Sequence, residues 1–417
     1  DLEELLLSCA QAVSRYDIKK AKELLEELHQ LGASPIGRTG LHRMAFYFCQ
    51  ALEARINGCG SALYAATLAR DIKVSTADTI RALKAVFETS HPIKISHFLA
   101  NQSIADVTRG CSHVHIINYG IAYGIQWTYV IKALSEREGG PPYLVITGVD
   151  FPKPGADDPA VTVKETGRRL AEYARTWKVP FQYHPVASSK WEELDAESLR
   201  INPTWRRSQT ALVVSSMKRL REIPEESTLQ DQNALLHGCG GRRKSTMSPR
   251  QKLLCRICSF KPDLFVLGVA NAGYNVPIFT TRFKEALQYY SSIYDMLDAS
   301  TTAGDSPERM LVERRILARG IVNVVACEGV DRVERPETYR HWQARMERAG
   351  FQQLPLPPTL LARSTAYVRK RYHPDCTVFE ERGSPWLLVG WRGRTFVALS
   401  TWKPLATWNL SNGLVTT

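Results

Sequence analysis

Apolar residues recur every three or four positions through the first hundred residues of the chain. Leu2, Leu5, Leu6, Cys9 and Val13 follow that spacing. So do Ala21, Leu24, Leu25 and Leu28, and then Leu41, Met44, Ala45, Phe48 and Leu52. Side chains three and four apart share one face of an α-helix, so each set predicts a helix with one buried stripe. Further helical pieces are predicted near 62–70, 77–88 and 93–106. The stretches Gly32 to Gly40 and Gly58 to Gly60, and the pair His91-Pro92, separate them. Pro35 and the glycines interrupt any sustained heptad run, so a packed helical layer over residues 1–110 is expected in place of a leucine zipper.

After residue 110 the period changes. Short β-branched apolar runs predict strands at 113–118, 143–149, 180–186, 210–216 and 263–269, with helices near 125–137, 162–177, 249–259 and 278–298 between them. Near-continuous apolar strands joined by helical crossovers imply a parallel sheet covered on both faces. Helices at 307–322 and 336–349 follow, and the chain closes on short strands at 376–381, 386–391 and 395–402. The pattern predicts a Rossmann-like α/β core at 111–404, a doubly wound mixed sheet, under an α-helical cap at 1–110. Residues 405–417 read as a disordered tail.

Composition narrows the function classes. At 417 residues and 44% hydrophobic, the chain can bury the core of one large domain or two closely packed ones. No apolar run reaches the roughly 20 residues of a membrane helix, so no membrane association is expected. The opening Asp1-Leu2-Glu3-Glu4 does not read as a secretory leader, and the missing initiator Met leads us to expect a longer parent chain. Nine scattered cysteines, an odd number, argue against a disulfide framework and for a reducing compartment. A formal net charge of +12 favours acidic partners, nucleic acid among them.

The chemistry-bearing candidate is the turn Asn118-Tyr119-Gly120-Ile121-Ala122-Tyr123-Gly124, which leaves the first strand and enters a helix. A dinucleotide or S-adenosylmethionine turn lies at that point, its glycines admitting the ligand and the helix N-terminus supplying N–H groups. Asp150 closes the next strand where an acid commonly holds a ribose. Asn118, Gly120, Gly124 and Asp150 are thus the candidate cofactor residues. Against a working site, Ala122 replaces a middle glycine, Asn118 replaces an acid, and Tyr119 and Tyr123 are bulky. The expectation is a retained turn without a cofactor. An S-adenosylmethionine-dependent methyltransferase is the competing reading, and a regulator gated by a small molecule in the same residual pocket is the third.

Other patterns are weaker. No Gly-x-Ser-x-Gly elbow or P-loop is present. Cys255-x-x-Cys258, with His237 and Cys239 nearby, has metal-like spacing, yet both thiols fall in the apolar pattern of Leu253, Leu254 and Ile257 and read as core. Arg206, Arg207, Arg242, Arg243, Lys244 and Arg250 are candidate phosphate contacts for DNA, with Lys252 and the run Arg369-Lys370-Arg371 beside them. The middle cluster also reads as a nuclear-import tag, and any one cluster reads equally as a solvated loop. Arg314, Arg315 and Arg319 lie on a helix where Glu308 or Glu313 neutralises them. No helix-turn-helix, zinc-finger or basic-zipper pattern appears. Trp386, Trp391 and Trp402 fill the core or, alternatively, face a partner.

The run Val114-His115-Ile116-Ile117-Asn118, followed by Tyr119-Gly120-Ile121-Ala122-Tyr123-Gly124, resembles the VHIID motif of plant GRAS proteins. His97-Phe98-Leu99-Ala100-Asn101-Gln102 precedes it, and Ile146 to Gly155 and Glu165-Thr166-Gly167-Arg168-Arg169-Leu170 follow in family order. The stretch Pro277 to Leu287 is similar to the PFYRE region, continued by Glu313-Arg314-Arg315 and Asn323 to Gly329. Arg335-Pro336-Glu337-Thr338-Tyr339 then precedes a Trp-rich end, Trp386 to Trp391 and Leu399-Ser400-Thr401-Trp402, that resembles the SAW motif. Asn118, Ile278 and Thr401 depart from the family pattern. The resemblance implies a methyltransferase-type core under a helical cap, nearest the SCARECROW-like branch. It also implies a nuclear transcriptional regulator, not an enzyme. Its expected partners are other transcription factors, a homo- or heterodimer with a related chain, and double-stranded DNA; no cofactor is expected.

Overall fold

Among the described residues, nine strands form one twisted sheet that carries the rest of the fold. The computed structural model describes residues 1–72, 76–204, 209–225, 247–300 and 307–406. Strands β1 (His113–Tyr119), β2 (Tyr143–Asp150), β3 (Phe181–Ala187), β4 (Thr210–Met217) and β5 (Leu264–Ala270) run parallel. Strands β6 (Phe351–Leu354), β7 (Cys376–Glu380), β8 (Leu387–Trp391) and β9 (Arg394–Pro404) complete the sheet in antiparallel pairings. The order is β3-β2-β1-β4-β5-β9-β8-β7, with β6 paired to the end of β9. In register, Ile116 faces Ile146 on one side and Val213 on the other. Strand order reverses between β1 and β4, as in a Rossmann-like doubly wound fold, and that point opens a crevice beyond the strand ends.

Period-2 alternation assigns the two faces. Val114 and Ile116, with Ile146, Val213 and Val266, pack under α6 (His91–Val107), α7 (Ile125–Ser135) and α8 (Val161–Thr176). Ile117 and Tyr119 point the other way. With Val214, Phe265 and Leu267 they meet Leu253, Leu254 and Ile257 of the helix Pro249–Ser259 and Trp342 and Met346 of the helix Tyr339–Arg348. Fully burying one such side chain contributes about 1.5–3 kcal/mol, so a one-residue slip that exchanged the faces would forfeit both layers.

The cap joins the first helices of the chain to two helices from later in the sequence, Phe279–Ser300 and Ala318–Ala326. Helices α1 (Leu2–Ser14), α2 (Ile18–Gln30) and α3 (Gly40–Ile56) begin on Asp1, Asp17 and Thr39, whose side chains accept from backbone amides two or three residues on. Their apolar stripes close on Phe283, Leu287, Tyr290 and Tyr294 of the helix Phe279–Ser300 and on Ile321, Val324 and Val325 of the helix Ala318–Ala326. A π turn, Glu313–Leu317, precedes that last helix. Glu313 is buried there and accepts from Arg43 of α3 at 2.9 Å, while Arg43 also donates to Asp298. Glu313 pairs with Arg43 and with Arg309, while the side chain of Glu308 lies outside the described residues.

Of the two readings for the C-terminal tryptophans, the structure selects core. Trp386, Trp391 and Trp402 are buried, and their indole N–H groups donate to Gln343, Asp295 and Ser400. Four residues of β6 and a helix at Leu360–Arg371 were not anticipated from the pattern.

Candidate functional site

The crevice at the strand reversal is where a ligand of this fold would sit, between the turn after β1 and the segment after β4. Gly120 has φ +89° and Gly124, which caps α7, has φ +66°, so both take backbone shapes that favour glycine. Four of the turn's amides already have acceptors within the chain. Gly120 and Ile121 donate to Val149 O at 2.7 and 3.1 Å, Ala122 donates to Asp150 Oδ2 at 2.8 Å, and Gly124 donates to Ile121 O. A pyrophosphate would need some of those same donors.

Arg219 fills the space above the turn. It follows β4 by two residues, and its stem lies so close that a Cβ built on Gly120 would stand 2.2 Å from Arg219 Cγ. Its guanidinium reaches Asp150 Oδ1 at 2.7 Å and Glu222 Oε1 at 2.6 Å, and it lies 5.6 Å from the centre of the Phe151 ring. Burial works against that charge, but Glu222 and Asp150 outweigh it and hold the group protonated. Asp150 also accepts from the Phe151 amide at 2.9 Å. Its carboxylate is therefore bound to the chain itself.

Each of the four candidate residues of the residual pocket has a contact within the chain. Asn118 donates to Ser215 O at 3.0 Å and accepts from Trp127 Nε1 at 3.1 Å, tying β1 to β4 and α7. A Cβ on Gly124 would meet Thr166 Cγ2 at 2.9 Å, so that glycine admits helix α8 and not a ligand. Gly120 admits Arg219, and Asp150 pairs with it. The structure brings the four predicted residues to one place and gives each an internal partner. Arg219 escaped the sequence reading, although two basic residues directly after an apolar strand, Lys218 and Arg219, stand where such folds bind ligands.

The basic candidates separate. Arg206, Arg207, Arg242, Arg243 and Lys244 lie outside the described residues, as do His237 and Cys239. Arg250 is corrected. It is 1% exposed and donates to the carbonyls of Ile223, Arg221 and Arg335, with burial pushing its pKa down to about 10. It stands on the helical face of Leu253, Leu254 and Ile257, a spacing that the sequence already contained. Arg369, Lys370 and Arg371 are exposed at the end of their helix. Cys255 and Cys258 are buried, and Cys258 Sγ donates to Gly350 O.

A second feature lies on the outside of the cap. Tyr16, 87% exposed, follows α1 with φ +60°, and Ile278 is 64% exposed. Both line one groove of about 580 Å³ with Val13, Ile18, Ile56 and Phe279. Arg55 stacks on Phe279 at 3.9 Å and pairs with Glu328 at 2.8 Å along its wall. Large apolar side chains held outward in one concave site are a feature of interaction surfaces.

Comparison with known proteins gives this arrangement a context. Residues 2–403 match the model of the GRAS domain family. The chain is 40% identical over 408 residues to Scarecrow-like protein 34 of Arabidopsis thaliana, covering 97% of this chain and 61% of that protein. It is 32% identical over 407 residues to chitin-inducible gibberellin-responsive protein 2 of Oryza sativa subsp. japonica, covering 96% and 68%. Among solved structures, SCL7 of Oryza sativa superposes with a TM-score of 0.73 at 28% identity, covering 97% of this chain and 99% of that one. The chain spans about half to just under two-thirds of the length of the Arabidopsis relatives it matches. With sheet, cap and ordered motifs matched from end to end, the chain belongs to the GRAS domain family.

Proposed function

We propose that the protein is a nuclear transcriptional regulator that acts by binding other proteins, dimerising with a related chain, and contacting DNA through exposed basic residues. The observation that carries the reading is the filled crevice: Arg219 lies over Gly120 and pairs with Asp150, so the fold's ligand position is occupied by the chain's own side chain. Membership of the GRAS family supports a regulator over an enzyme. The groove of Tyr16 and Ile278 supports association through the cap, because burying two such side chains is worth several kcal/mol in a well-packed interface. The net charge of +12 and the exposed Arg369, Lys370 and Arg371 support contact with phosphates.

The test is a pair of variants, Tyr16→Asp and Ile278→Asp, measured by light scattering after gel filtration and by a reporter driven by the tethered chain in plant protoplasts. Both should leave the thermal midpoint unchanged while reducing dimer and reporter output together. A wild-type chain that stays monomeric at tens of micromolar and leaves the reporter unchanged would overturn the proposal.

A further inference from the structure

A cavity of about 470 Å³ between the sheet and the cap-side helices is bordered by Arg219 and by Ala122 and Tyr123 of the turn. Its size falls in the range of small-molecule sites. Most of its wall is apolar, with Ile93, Met217, Ile293, Met296, Leu297 and Phe396 among the lining residues. Its charged lining among the described residues is five cations, Lys218, Arg219, Arg221, Arg315 and Arg319, against one carboxylate, Glu334.

Most of those charges already have partners. Arg219 is held by Asp150 and Glu222, Arg221 donates to Glu334 at 2.6 Å, and Arg315 donates to Thr79. Arg319 acts on Glu334. Lys218 is different. Its backbone amide donates to Gly268 O and its φ is +63°, but its ammonium has no acceptor among the described residues. Its charged neighbour, Arg221, has the same sign, and burial together with that charge lowers Lys218 to about 8, still largely protonated at neutral pH. Lys218 is half-buried in a mostly apolar wall, and a cation so placed without a counter-ion carries a cost that an anion entering the cavity would relieve.

We propose that this cavity binds an amphipathic carboxylic acid, the Lys218 ammonium holding the carboxylate and Ile93, Ile293, Met296 and Leu297 enclosing the apolar body. A monoanion suits the site better than a phosphate dianion, because one cation is unpaired and Glu334 lines the same wall. The inference is independent of the cap groove, so either can fail alone.

The test is fluorescence titration of the whole chain with 1-pyrenebutyric acid and with its uncharged analogue, 1-pyrenebutanol. A charge-assisted hydrogen bond in a mostly apolar cavity predicts saturable one-to-one binding, with the acid about 10- to 100-fold tighter than the alcohol. Lys218→Met should bring the acid down to the alcohol's affinity, Lys218→Arg should keep the preference, and Ile293→Trp should fill the cavity and abolish both. Equal binding of acid and alcohol, no binding of either, or an unchanged preference in Lys218→Met overturns the proposal. If Lys218→Met does not fold, the wild-type preference and Ile293→Trp still decide.

Discussion

Arg219 and Asp150 meet 2.7 Å apart over the turn that ends β1, the arginine arriving from the end of β4 and the aspartate from the end of β2. The pair straps the middle strand from both sides. Both partners are largely buried, so removing one leaves an uncompensated charge. Arg219→Ala should cost about 3–5 kcal/mol in urea unfolding. Gly120→Ala should cost a similar amount, since its Cβ would overlap Arg219 Cγ and its φ is +89°. The double variant should recover the steric part alone, leaving a cost below the sum of the two. Strict additivity would show that Arg219 does not occupy that space.

Arg43 and Glu313 form the corresponding lock in the cap. Both are 1% exposed, and their contact joins α3 to the π turn. Glu313→Ala should destabilise by about 3–5 kcal/mol. Substituting both, Arg43→Met with Glu313→Leu, should restore much of that, because an apolar pair carries no desolvation cost. Hydrogen exchange should show the single variant's loosening at 40–56 and 318–326. Loosening confined to β1 and β4 would contradict it.

His91 and His115 set an acid limit on stability. Burial lowers both from 6.5 to about 4; Gly390 O pulls His91 upward, and His184 lowers His115 further. Each is neutral in the fold and gains its proton on unfolding, so the stability it contributes is complete above about pH 6.5. That stability is lost as pH falls from there to about 4. Each should account for about 3 kcal/mol across that window. Urea midpoints measured from pH 7.5 to 4 should fall less steeply in His91→Asn than in the wild type. Parallel curves would remove His91 from the account.

The cysteines divide by accessibility. Cys59 is exposed, whereas Cys9, Cys49, Cys255, Cys258 and Cys327 are buried, and burial pushes Cys258 up to about 12. Brief iodoacetamide treatment followed by peptide mapping should label Cys59 and spare Cys255 and Cys258 until denaturant is added. Labelling of Cys258 in the folded chain at the rate of Cys59 would contradict the packing.

The sheet was legible because its strands are written as apolar runs. Val114 to Ile117, Leu144 to Val149 and Leu264 to Val269 each name a strand without help from elsewhere. β6 was not, since Phe351-Gln352-Gln353-Leu354 has only two apolar residues and exists through its pairing to β9. The helix Leu360–Arg371 buries only Leu360, Ser364 and Val368, a stripe whose middle member is polar. At the site, the sequence located the turn and its oddities but not what fills it. Arg219 lies 69 residues from Asp150, and nothing local in either segment announces the other. Arg250 is the opposite case, since its helical spacing from Leu253, Leu254 and Ile257 marked it as interior and its charge drew the reading outward.

We propose that the crevice, with Arg219 lying over Gly120 and paired to Asp150, takes no nucleoside cofactor. Isothermal titration of the whole chain with S-adenosylmethionine tests it directly. No measurable heat of binding is expected at millimolar cofactor. Saturable one-to-one binding at micromolar concentration, lost in Asp150→Ala, would contradict it.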